Sequence, residues 1–284
     1  MDPVKAQILF YISTLTVLGI VLGLTLFWSI RTFATTKGFE KEIEPTSGKI
    51  DIIDLLFALA IILFFYGNTV SIYQNSVNPI DAPPIEKIDT TLSETILNNI
   101  IFLIIGGLVF SFASIIRGRN VNQVFGLKTI SFGRILKWGL GAMVPVYIIL
   151  VLGNFITQLI IPSKERVPEM QEIVQTMITN SDITIRIALL FSAVIVAPVV
   201  EEIIFRGYIY PILKRYSHRF FAGLMTSLLF AVVHGHVEGL IPLMFLAIIL
   251  TFCYEITGSI LVPVLIHALF NGINSCFILI SSHG

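Results

Sequence analysis

Two adjacent carboxylates, Glu201 and Glu202, stand inside the apolar run Ala197-Pro198-Val199-Val200-Glu201-Glu202-Ile203-Ile204-Phe205-Arg206-Gly207. Ionisable side chains in such a run are costly in a bilayer unless paired or wet, which makes them candidate functional groups. Helical geometry separates the two acids. Glu202 and Arg206 are four apart with the acid first, the favoured order for an ion pair on one helix face. Glu201 points about 100° away and has no partner on its own helix. The spacing therefore predicts a division of labour: Glu202 pairs with Arg206, and Glu201 is free to act as a general base or acid. Pro198, three residues upstream, removes a donor from the helix ladder and is expected to kink it near the acids.

Two further polar positions interrupt apolar helices. Phe230-Ala231-Val232-Val233-His234 ends one, and His267-Ala268-Leu269-Phe270-Asn271 lies inside another. His267 and Asn271 are four apart and share a face. Each alone reads as readily as an interhelical hydrogen-bonding group. Depth makes them a set. Glu201 lies about 15 residues before the turn near Tyr216 to Arg219, and His234 about 17 after it; at about 1.5 Å per residue both are roughly 22–25 Å from that turn. They are expected to meet across the hairpin. His267 and Asn271 lie closer to the next turn on the same side, so they join the set only if the hairpin protrudes beyond that turn.

The elements that must carry these residues are membrane helices. Of 284 residues, 55% are apolar and 13% charged, and mean hydropathy is +0.90; soluble domains carry roughly a quarter charged residues. A span needs about 20 mostly apolar residues, and eight stretches qualify: 7–30, 52–73, 95–116, 135–161, 185–213, 218–235, 239–256 and 259–280. The expected fold is an all-α polytopic membrane helical bundle of about eight transmembrane helices. Residues 1–182 form N-terminal helices and loops, and 183–280 a core within the same bundle. The first stretch reads as a retained span, being long for a signal peptide. The polar, Pro-bearing segment 75–94 reads as loop, and 162–182 as a short amphipathic helix or surface linker. Cys253 and Cys276 are expected as small core hydrophobes.

Charge orients the bundle. Thirteen of the eighteen Lys and Arg fall in the connections after the first, third and fifth spans or at their flanks, Arg206 included, which predicts those connections to be cytoplasmic and both termini outside. On the charge rule the site is expected to open toward the cytoplasm. A formal net charge of zero argues against a nucleic-acid partner.

Taken in order, Glu201-Glu202…Arg206, Phe230…His234 and His267…Asn271 resemble the three motifs of the CPBP family: type II CAAX prenyl endopeptidases with their bacteriocin-processing and immunity relatives. The resemblance covers roughly residues 183–280, and Ala197-Pro198, Phe205-Arg206-Gly207 and Thr257-Gly258-Ser259 also fit. It implies an intramembrane endopeptidase of the glutamic type. Glu201 would be the base activating water, helped by His234; Glu202 and Arg206 would support it; His267 and Asn271 would hold the oxyanion. The substrate would be a peptide or lipidated protein at the membrane, of the prenylated CAAX kind in one branch. No cofactor is expected. Zinc is an alternative, through His234, His236, Glu238 and His267, although His-Glu-x-x-His is absent. A non-catalytic scaffold or immunity protein, and a proton-coupled transporter using the same acids, are the other readings.

Overall fold

The structure is a computed structural model, and it describes residues 50–77, 91–127, 130–160, 176–178, 180, 182–235 and 238–281. Among them are eight helices: α1 (Ile52–Val77), α2 (Leu92–Ile116), α3 (Val121–Phe125), α4 (Phe132–Ile160), α5 (Ile183–Tyr216), α6 (Arg219–Val233), α7 (Leu240–Thr257) and α8 (Leu261–Ser281). No strand occurs among the described residues. All but α3 correspond to spans expected from hydropathy. The stretch 7–30 lies outside the described residues, as do most of 162–182 and of the loop 75–94.

Local chemistry sets the helix ends. Thr91 and Glu94 form a reciprocal capping box at the start of α2. Asp182 accepts from Thr184 N at the start of α5, and His218 accepts from Phe220 N at the start of α6. Among the described residues three π-helical segments interrupt the α-ladders, at Phe112–Ile116, Ser192–Val196 and Phe205–Ile209. Hydropathy carries no trace of them.

Five helices, α2, α4, α5, α7 and α8, are long and apolar enough to cross a membrane, while α6 and the Ile52–Phe65 part of α1 are shorter apolar helices. Large apolar side chains such as Ile115, Val151, Leu159 and Phe277 cover the outside, as a lipid-facing surface requires. The chain is a multi-pass integral membrane protein. Cys253 is buried as expected, whereas Cys276 faces outward; in lipid an outward position suits a small apolar side chain as well as a core one.

One core joins α1 and α2 to the later helices, while α4 packs with α7 and α8 in a second cluster. Ala58, Ile61 and Ile62 of α1 and Val109 and Ala113 of α2 cluster with Val200, Ile204, Tyr208, Phe230 and Ile260. At one end of the bundle these packed helices are also tied by polar groups. Asp54, fully buried, receives Arg119 Nη2 at 2.5 Å and Arg117 Nη2 at 3.2 Å, with Tyr208 Oη donating at 3.3 Å. Arg117 also holds Asp51 at 2.6 Å, and Lys214 holds Glu255 at 2.6 Å. Helix α3 docks at this end. Ile260 N donates to Phe125 O at 3.0 Å and Tyr254 Oη to Val124 O at 2.9 Å. A side chain at Gly126 would run into the Gly258 carbonyl, and one at Gly207 into the Phe125 ring. These close approaches fix α5 and α8 relative to each other.

Candidate active site

Glu202 and Arg206 pair as the four-residue spacing predicts, Nη1 to Oε1 at 2.8 Å, with both side chains fully buried. The remaining guanidinium donors are met by α7: Nη2 by Ala247 O at 3.0 Å and Nε by Thr251 Oγ1 at 3.4 Å. The guanidinium also lies 4.8 Å from the centre of the Phe230 ring, a favourable cation–π placement. A buried cation so fully partnered is a structural anchor. The sequence pointed to Glu202 as its partner; Thr251 and the Ala247 carbonyl were not foreseen, although a Thr in the middle of an apolar helix was their signal.

Phe230 is the hub of the second motif. Its ring is 4.5 Å from that of His234 and 5.7 Å from that of His267, centre to centre. Its carbonyl receives His234 Nδ1 at 2.6 Å. A carbonyl only accepts, so the hydrogen sits on Nδ1. His234 is the C-cap of α6, and Gly235 at φ 72° turns the chain away behind it. His267 is fixed in the same sense, with Nδ1 3.0 Å from Glu202 Oε1. That oxygen already accepts from Arg206, so it receives the His267 hydrogen too.

Both imidazoles thus spend Nδ1–H on the scaffold and turn Nε2 toward Glu201. Each Nε2 is 3.8 Å from Glu201 Oε2. That is beyond a direct hydrogen bond and suits groups that share one bridging atom. Glu201 Oε2 is buried and has no hydrogen-bond partner among the described residues. The Glu201 and His234 side chains are 16% and 20% exposed, against 4% for His267, so the cluster is reached from the Glu201–His234 side.

The protruding hairpin needed to bring His267 in is present: the α7–α8 turn packs beside Phe125 and Gly207, part-way along α5, and the α5–α6 turn lies beyond it. Asn271, one turn past His267, stands differently. Its Nδ2 donates to the Ala193 carbonyl at 2.8 Å. The irregularity expected at Pro198 occurs just before it, as the π-helical segment Ser192–Val196, with Pro198 in the first turn of the following α segment. The disturbance is absorbed upstream because the bonds Pro198 fails to make belong to carbonyls four and five residues earlier.

Glu201 Oε2 and the two Nε2 atoms are of the kind that ligate zinc. Among the described residues no group of three or more His, Cys, Asp and Glu has the spacing to hold a metal ion. His236, part of the alternative metal set, lies outside the described residues.

The class so far defined is a polytopic helical membrane protein with a partly buried carboxylate facing two imidazoles. Residues 183–273 match the family model for "Type II CAAX prenyl endopeptidase Rce1-like". The resemblance to the CPBP family read from three motifs is borne out over this stretch. A Bacillus subtilis (strain 168) protein named "Putative membrane peptidase YdiL" is 38% identical over 77 residues, which cover 27% of this chain and 32% of that protein. The match therefore spans about a third of that relative's length. No solved structure matches significantly.

Proposed function

We propose that the chain is an intramembrane endopeptidase that hydrolyses a peptide bond in a membrane-associated substrate, with Glu201 as general base. The observation that carries this reading is the convergence of Glu201 Oε2 with Nε2 of His234 and of His267, each at 3.8 Å. A water between them would donate one hydrogen to Glu201 and the other to His234 Nε2, leaving its oxygen to attack the scissile carbonyl. Glu201 takes the proton as the C–O bond forms and returns it to the leaving amine as the C–N bond breaks.

The His267 tautomer adds a condition. With Nδ1–H given to Glu202, Nε2 donates to an oxyanion only when the ring carries both protons. Glu202 Oε1 holds the ring in that orientation, as the carboxylate behind a catalytic histidine does elsewhere. Glu202 and Arg206 thus act by holding His267. Substrates of the prenylated CAAX type fit a membrane-embedded site, since their lipid dissolves in the surrounding bilayer.

The test uses purified protein in detergent with a lipidated CAAX peptide and, separately, a bacteriocin-like precursor. Wild-type protein should cleave at least one, and Glu201→Gln should lower kcat by about 10²–10⁴-fold while keeping an unchanged melting profile. Cleavage at the wild-type rate by that variant would falsify the assignment. Activity that persists after exhaustive chelation argues against zinc; its loss, with recovery on adding zinc, supports the zinc alternative.

A further inference from the structure

The main chain of α5 lacks a donor at one place. Ala197 N–H pairs with Ser192 O and closes the last π turn. The next nitrogen belongs to Pro198 and has no hydrogen. In the π pattern that nitrogen would serve the carbonyl five residues back, which is Ala193; in the α pattern Ala193 would be served by Ala197, already committed to Ser192. The Ala193 carbonyl thus has no main-chain donor from its own helix, a costly state within a membrane.

Asn271 Nδ2 supplies the missing hydrogen at 2.8 Å. The two helices approach closely here, since a side-chain carbon at Gly272 would already touch Val194. Asn271 is one turn beyond His267 on α8, and Ala193 about two turns before Glu201 on α5. The bond therefore sets the register of α8 on α5 beside the two groups whose Nε2 and Oε2 must face each other.

We propose that Asn271 is a positioning residue: its amide replaces the hydrogen bond that Pro198 forfeits, and so holds His267 over Glu201. This role differs from the oxyanion contact implied by its motif. The kinetic arm of the test rests on the endopeptidase reading, and the thermal arm does not.

The experiment is a double-mutant cycle with Asn271→Ala and Pro198→Ala. Alanine at 198 restores a backbone N–H that can reach the Ala193 carbonyl. Asn271→Ala alone should lower kcat by about 10- to 100-fold with KM little changed, and lower the melting temperature in detergent by about 2–4 °C. Pro198→Ala alone should keep kcat within about threefold. In the double variant most of the kcat and the melting temperature should return, and such non-additivity marks a shared contact. If Asn271→Ala costs as much kcat in the Pro198→Ala background as in wild type, Asn271 acts on the reacting atoms and the proposal is overturned. If Asn271→Ala does not fold, restored folding in the double variant supports the clasp and continued failure overturns it. Should wild-type protein cleave nothing, the endopeptidase reading falls, and the thermal cycle still decides between coupling and none.

Discussion

At the residue scale the site is organised around atoms that are already spent. Glu202 Oε1 accepts from both Arg206 and His267, and the Phe230 carbonyl accepts from His234. Among the described residues Glu201 Oε2 and Glu202 Oε2 have no hydrogen-bond partner, and of these only Glu201 Oε2 faces the two Nε2 atoms at 3.8 Å. Arg206 shows the energetic stake. Its removal would leave Glu202 buried with His267 as its one partner among the described residues, and breaking a buried ion pair from one side costs about 3–5 kcal/mol. Arg206→Ala should therefore lose that much stability in detergent, or fail to fold, by thermal melting. Arg206→Lys should rescue little, because an ammonium cannot span Glu202, Ala247 and Thr251 in the guanidinium's fixed geometry. Thr251→Val should cost about 1 kcal/mol, the worth of one hydrogen bond.

At the element scale, the packing of α3 gives a sharper test than any of the long helices. A methyl group at Gly207 meets the Phe125 ring, whereas one at Gly141 meets nothing within 4 Å. Gly207→Ala should destabilise by about 1–3 kcal/mol, and Gly141→Ala should leave the melt unchanged. The same contrast shows what could be read from sequence. Hydropathy located the spans because it measures apolar length, and the four-residue spacing separated Glu202 from Glu201 because helical periodicity is local. The hairpin calculation brought Glu201 and His234 together for the same reason. The π turns at Ser192–Val196 and Phe205–Ile209 escaped, since composition does not record a one-residue change of register. With them escaped the engagement of Asn271 by Ala193. Asp54 and its clasp by Arg117, Arg119 and Tyr208 also escaped, because those partners are far apart in the chain and meet only in the packed bundle.

At the scale of the whole molecule, charge is unevenly divided. Among the described residues Arg117, Arg119, Arg134, Lys137, Lys214, Arg215 and Arg219 gather at the end that holds α3 and the α5–α6 turn, while Arg186 lies at the other. The basic end is predicted to be cytoplasmic. Helix α6 starts at that end and is capped by His234, and α7 starts back from the opposite side at Leu240. Glu201 lies six residues before Gly207, beside which the α7–α8 turn of the basic end packs, so the charge rule predicts access from the cytoplasmic side, as expected from sequence. In a Cys253→Ala/Cys276→Ala background, a cysteine at Ser217 should resist an impermeant maleimide in intact cells, and one at Gly239 should react. The opposite pattern would invert the bundle. The Glu202–Arg206 pair has a consequence for biogenesis as well. It lies within a single helix, so it forms as soon as α5 coils, before α7 or α8 has been synthesised. The two charges can enter the bilayer already matched, and only Glu201 must wait for later helices to bring its partners.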